Sequence, residues 1–187
     1  MKTKLFCIIT MVILPGFFPV FGQGFQPPAN GKAVIYFVSL KKKSCTFDYF
    51  HQDKYIGFFG KNNYMRYECD PGKQLFWASS ETKDFVTADL KAGDTYIVTV
   101  DMVIGFWRNN PKLTAISAKH ELFAKAAALI KSKKPVVTPD AKIEARNQEL
   151  KVEFIPNILS IYENDWKNSR TYTHISQDMS IPADAMK

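Results

Sequence analysis

The sequence predicts a mainly β protein with an α appendage: an antiparallel β-sandwich of about seven or eight strands, followed by C-terminal helices. Three observations predict it. Short runs rich in β-branched and aromatic residues recur at near-regular spacing between Gly31 and Ser117. Asparagine, proline and glycine turn signals separate those runs. After Ser117 the apolar spacing changes from the period of a strand to that of a helix. The expected division is a leader over 1–22, a linker over 23–31, a sandwich over 32–117, a helical segment over 118–168 and an extended tail over 169–187.

The leader comes first. Lys2 and Lys4 make a basic start, Leu5 to Leu14 an apolar core, and Phe17 to Phe21 a second apolar run after Pro15-Gly16. Val20 and Gly22 stand at the −3 and −1 positions of a cleavage before Gln23. This is the pattern of a secretory signal peptide. An uncleaved anchor would need roughly 17–25 unbroken apolar residues, and Pro15-Gly16 interrupts this run. Cys7 lies inside the apolar run, too early for lipidation. No later segment is apolar enough to span a membrane.

Without its leader the chain has 165 residues, enough for one domain with an appendage. Lys2 and Lys4 leave with the leader, so 23 basic residues face 18 acidic ones, a net of +5. The excess is spread, with Lys41-Lys42-Lys43 its one true run. Nucleic-acid binding wants a concentrated basic stripe with aromatic platforms, and no nucleic-acid partner is expected.

Ala33 to Val38 is nearly continuous apolar sequence and reads as a central strand. Thr46–His51 and Tyr55–Phe59 form a hairpin about Gln52-Asp53-Lys54. Asn62-Asn63 turns the chain into Tyr64–Glu68, and Asp70-Pro71-Gly72-Lys73 is a strong turn. Leu75–Ser79, Asp84–Leu90 and Thr95–Val103 follow, with Ala92-Gly93-Asp94 as a further turn. In the last of these, Tyr96, Val98 and Val100 share one face, Ile97 and Thr99 the other. Lys112–Ile116 is the final predicted strand. Ser117 is placed to start a helix carrying Leu122, Ala126, Leu129 and Ile130 on one face. Thr138-Pro139 reads as an N-cap and first-turn proline. Ile143, Asn147, Leu150, Phe154, Ile158 and Ile161 continue an apolar stripe that Pro156 must kink or split. That stripe is expected to pack on the sandwich or on the preceding helix, with partner binding or self-association as the other use.

Five segments resemble a family of exported Gram-negative bacterial proteins built on a small β-sandwich related to PEGA-type modules. They are Gly31 to Phe37, Phe47 to Gly57, Tyr64 with Pro71-Gly72-Lys73, Leu90 to Tyr96, and Pro111-Lys112-Leu113. The resemblance spans about Gly31 to Ser117 and departs at the first hairpin, where relatives tend to carry Asp-Gly. It implies a sandwich in the cell envelope and supplies no catalytic residue and no ligand. In its up-and-down strand run, Cys45 starts one strand and Cys69 ends another that runs the same way. That places the thiols roughly 15–20 Å apart, beyond the ~7 Å Cα reach of a disulfide. A Cys45–Cys69 bond then requires a crossover between sheets.

Catalytic patterns are scarce. Asp48, His51 and Asp53 are the one cluster resembling metal ligands, and alternation turns Asp48 away from the other two. No metal or cofactor is expected. Cys45 or Cys69 with His120 or His174 would make a thiol pair, but only Lys41 to Lys43 stand near enough to activate Cys45. Trp107, Arg108 and Asn109 in the Gly105–Pro111 loop are the leading binding candidates, since a loop tryptophan beside polar groups can stack on a sugar or anchor a partner. The bland alternative folds Trp107 back over the core. Phe58 to Asn62 is a second candidate.

The expectation is a non-enzymatic exported cell-envelope protein, periplasmic or on the cell surface, binding a protein or glycan through the sandwich. Alternatives are a hydrolase of envelope polymers with carboxylates gathered from loops, and a structural subunit assembling through its C-terminal helix.

Overall fold

A computed structural model describes residues 23–42, 45–104 and 109–187 of the protein. The leader at 1–22, Lys43 of the basic run, and the binding candidates Trp107 and Arg108 lie outside the described residues. Eight strands stand close to their expected places: β1 (Ala33–Ser39), β2 (Thr46–His51), β3 (Lys54–Gly60), β4 (Asn63–Cys69), β5 (Gly72–Ser79), β6 (Lys83–Leu90), β7 (Thr95–Ile104) and β8 (Asn109–Ile116). Helices α1 (Phe123–Ser132), α2 (Asp140–Leu150) and α3 (Phe154–Ile161) follow, then a π-helical turn over Tyr162–Trp166. A short ninth strand, β9 (Thr173–Ile175), lies in the segment expected to be an extended tail.

The strands form two sheets, ordered β4-β1-β7-β8 and β3-β2-β5-β6-β9. The up-and-down run is therefore corrected: the chain changes sheet between β1 and β2, β3 and β4, β4 and β5, β6 and β7, and β8 and β9. Because it leaves a sheet and returns, neighbours need not run antiparallel. β1 pairs with β7 in parallel, Val34 opposite Thr95, and β6 pairs with β9 in parallel, Val86 opposite Thr173. The remaining ladders are antiparallel.

Strand alternation feeds three apolar layers. Ile35, Phe37, Phe47, Tyr49, Phe76, Val98 and Leu113 meet between the sheets. Val34, Tyr36, Val38 and Ile97 point to the other side of the first sheet, under Ala126, Leu129 and Ile130 of α1. Phe50, Tyr55, Trp77 and Phe85 point outward from the second sheet, under Leu150, Ile155, Ile158 and Tyr162. Phe50 stacks on Trp77 at 3.7 Å and Phe85 on Tyr162 at 4.4 Å. Burying a side chain of this size stabilises by roughly 1.5–3 kcal/mol, which explains why the C-terminal stripe docks here. The result is a helix–sheet–sheet–helix stack, with β1 covered on both faces as its unbroken apolar run demands.

Local expectations fare unevenly. The tight hairpin forms with His51 opposite Lys54, and Gln52 takes φ 52° without glycine. Gln52 is held by its N–H to Leu75 O at 2.8 Å and by Trp77 Nε1 on its carbonyl at 3.0 Å. The expected caps do not form. α1 begins at Phe123 rather than at Ser117, and Thr138 Oγ1 accepts the Phe58 N–H at 3.2 Å instead of capping α2. The stripe splits at 151–153 rather than kinking at Pro156, which sits in the first turn of α3, where a missing N–H costs no helical bond.

Three sheet edges are met by later parts of the chain. On β3, Asn147 Oδ1 accepts the Tyr55 N–H at 2.8 Å while its Nδ2 donates to Tyr55 O at 3.0 Å. On β4, Val136 N–H donates to Tyr64 O at 2.8 Å. On β8, Asp84 Oδ2 accepts the Leu113 N–H at 2.7 Å and Thr173 Oγ1 donates to Leu113 O at 2.9 Å. Exposed edges invite pairing with other chains, and these contacts occupy backbone groups on the β3, β4 and β8 edges.

Candidate functional site

The turn after β4 and the β2–β3 hairpin rise at one end of the sandwich and enclose an open bowl of about 500 Å³. Three strands from two sheets supply its centre: His51 from β2, Tyr67 from β4 and Gln74 from β5. His51 lies over Phe76 with ring centroids 4.6 Å apart and planes 18° off parallel, so its ring is fixed from below. Its Nδ1 is 3.0 Å from Tyr67 Oη and its Nε2 is 2.7 Å from Gln74 Oε1. Gln74 Nε2 donates to Asp70 O at 3.0 Å, which orients the amide and leaves Oε1 to accept from Gln52 Nε2 and His51. His51 therefore carries its proton on Nε2, and Nδ1 accepts the Tyr67 O–H.

The electrostatics keep this network neutral. Burial, the largest cause, lowers the His51 pKa below the ordinary 6.5, and Lys54 adds to the effect against the Gln74 bond. Burial pushes Tyr67 and Cys69 up to about 12. At the rim Lys32 bonds Asp70 at 2.7 Å, and that bond holds the Asp70 carboxyl below its usual range. Glu68 accepts from Arg66 at 2.9 Å and from the Ala29 N–H at 3.2 Å. The bowl thus presents oriented donors and acceptors rather than an activated nucleophile.

The other sequence candidates scatter. Asn109 opens β8 opposite Ile104. Asp48 turns away from His51 to Arg146, 3.3 Å distant, and among the described residues no three His, Cys, Asp or Glu side chains gather to hold a metal. Cys45 and Cys69 form no disulfide. Cys45 Sγ lies 3.2 Å from Met102 Sδ near one end of β7, whereas Cys69 faces Ala33, beside the β7 start at Thr95. Seven residues of strand, ~20 Å, separate those ends. His120 accepts the Leu122 N–H at 3.1 Å and His174 bonds Thr87 at 2.8 Å, so neither is poised against a thiol. In the second candidate loop Phe59 is buried and Phe58 exposed.

The sequence alone does not single out Tyr67 and Gln74. Their one signal is position: they flank the Asp70-Pro71-Gly72 turn, which folds them toward the hairpin. Among the described residues no helix is long and apolar enough to cross a membrane. Comparison of the chain with protein-family models, curated proteins and solved structures finds no match.

Proposed function

We propose that this chain is an exported, non-catalytic binding module of the bacterial envelope, and that the His51–Tyr67–Gln74 bowl takes a hydroxyl-rich ligand, a glycan. One observation carries the reading: the bowl's polar groups are fixed by one another yet keep spare capacity. Tyr67 Oη retains acceptor lone pairs, Gln52 a second amide hydrogen, and Asp53 and Lys54 extend the rim. Sugar hydroxyls donate and accept, and a pre-oriented mixed set suits them without a large ordering cost. The leader pattern and the resemblance to exported sandwich proteins support an envelope location.

Two observations weigh against the other readings. Hydrolysis of a glycan wants a carboxylic acid and a carboxylate facing one another, but of the bowl's three carboxylates, Asp53, Glu68 and Asp70, the last two are each committed to a cation. Assembly through the C-terminal helix wants an open apolar face, but the α2–α3 face is covered by the second sheet.

The test is an NMR titration of the leader-free chain, residues 23–187, with oligosaccharides released from bacterial envelopes. Shifts centred on His51, Tyr67 and Gln74, weakened at least about fivefold in Tyr67→Phe, are expected. Release of new reducing ends, or shifts confined to other surfaces, would sink the proposal.

A further inference from the structure

We infer that the ligand of the bowl is a single-chain amphiphile, its polar head among His51, Tyr67 and Gln74 and its alkyl chain in a second cavity beside them. The inference rests on the binding-site reading above and adds the chemical class of the ligand.

The second cavity, about 330 Å³, opens at the side of the sandwich. The segment linking α1 to α2 crosses here, held to β4 by Val136 on Tyr64 and to β3 by Thr138 on Phe58. Ile56, Met65, Val136, Val137 and Ile143 give the cavity an apolar wall, and its charged lining residues, Arg66 and Asp140, are one of each sign. Ile56 and Met65 belong to the inter-sheet core, while Val137 is 54% exposed. An alkyl chain laid against Val137 would remove water from surface that the fold leaves wet.

Tyr67 joins the two cavities, for it lines both. Its hydroxyl belongs to the His51 network, and a side chain with an apolar ring and a polar tip suits the boundary between an apolar region and a polar one. Both volumes fall in the ~300–1,000 Å³ range of small-molecule sites. A sugar alone would leave the side cavity unused, and a fatty chain alone would leave the bowl unused. An uncharged glycoside with one alkyl tail uses both.

The leader-free full chain is titrated with methyl β-glucoside and with octyl β-glucoside below its micelle concentration, by calorimetry and NMR. Octyl glucoside is expected to bind at least about tenfold more tightly, the gain from sealing roughly two methylenes. Shifts should appear on both sides of Tyr67. Val137→Asp, at an exposed position and checked by its thermal melt, should erase the gain while leaving methyl glucoside binding unchanged. Equal affinities, or a gain that survives Val137→Asp, overturn the amphiphile and leave the bowl reading standing. If both glucosides fail to bind, the amphiphile falls, and the bowl reading falls with it only if the envelope oligosaccharides also fail.

Discussion

Asn147 is a polar residue in an apolar stripe, and replacing it tests whether the helices hold the sandwich by its edge. Its amide serves both backbone groups of Tyr55, the N–H at 2.8 Å and the C=O at 3.0 Å, while also bonding Ile143 O. Tyr55 is 4% exposed, so Asn147→Ala strands a donor and an acceptor of a buried residue. A net hydrogen bond is worth about 1 kcal/mol, and a stranded buried group costs about 1–3 kcal/mol. Asn147 itself is half-buried, and water entering its place holds the cost near the low end, about 2 kcal/mol for the pair. Alanine's better helix propensity returns roughly 0.5 kcal/mol. The expected net loss is about 1.5 kcal/mol, a Tm fall of roughly 3–6 °C for a domain of this size. Urea unfolding of the leader-free protein measures it. Asn147→Asp sharpens the test, because a carboxylate can accept the Tyr55 N–H but only repel its C=O. At pH 7 it should lose at least as much as alanine. The protonated carboxyl can donate to that carbonyl, so the folded state binds its proton more tightly than the unfolded state does. The deficit should therefore shrink as pH falls through the carboxylate range. An alanine loss under about 0.5 kcal/mol, or an aspartate variant as stable as the parent at pH 7, would refute the edge-cap reasoning.

Gly57 has φ 140°, and a Cβ there would stand 2.7 Å from Thr138 Oγ1, so Gly57→Ala should cost about 1–3 kcal/mol in urea unfolding, and a neutral outcome would contradict that close approach. His51 has a folded pKa below 6.5, so the unfolded chain binds its proton first as pH falls. Stability should drop from about pH 6.5 downward in the parent, and His51→Gln should lack that component; parallel profiles would show that the ring is not desolvated. Cys69, pushed up to about 12 by burial, should resist a thiol reagent at pH 8 until the protein unfolds. Rapid labelling of Cys69 in the folded state, located by peptide mapping, would count against its burial.

The strands were legible because their environment is simple. Ala33 to Val38 reads as central since both faces of β1 are covered, and Tyr96, Val98 and Val100 alternate with Ile97 because different layers lie on either side. Strand order was not legible. A parallel β1–β7 pair joins Val34 to Thr95 across the intervening strands, and no local period encodes it. Asn147 shows the same limit in a helix, where spacing placed it on the inward face but could not say that a strand edge waited there. The bowl fails for a related reason. His51 was visible beside its hairpin, but Tyr67 and Gln74 become its partners only when β4 in one sheet and β5 in the other turn back on the same end. The side-chain caps expected from Ser117 and Thr138 fail because the Phe58 N–H on the β3 edge takes Thr138, and the chain after Ser117 makes two further turns before α1 begins.

The edge caps also order events in time. Thr138 trails Phe58 by 80 residues, Asn147 trails Tyr55 by 92, and Thr173 trails Leu113 by 60. A chain made from its N-terminus displays its β3, β4 and β8 edges before the residues that cover them exist. During that interval the sheets are open to any neighbouring strand, and full-length synthesis ends it. Shortening the chain from its C-terminus therefore removes more than a helix: it holds the protein at the stage when its edges still seek partners.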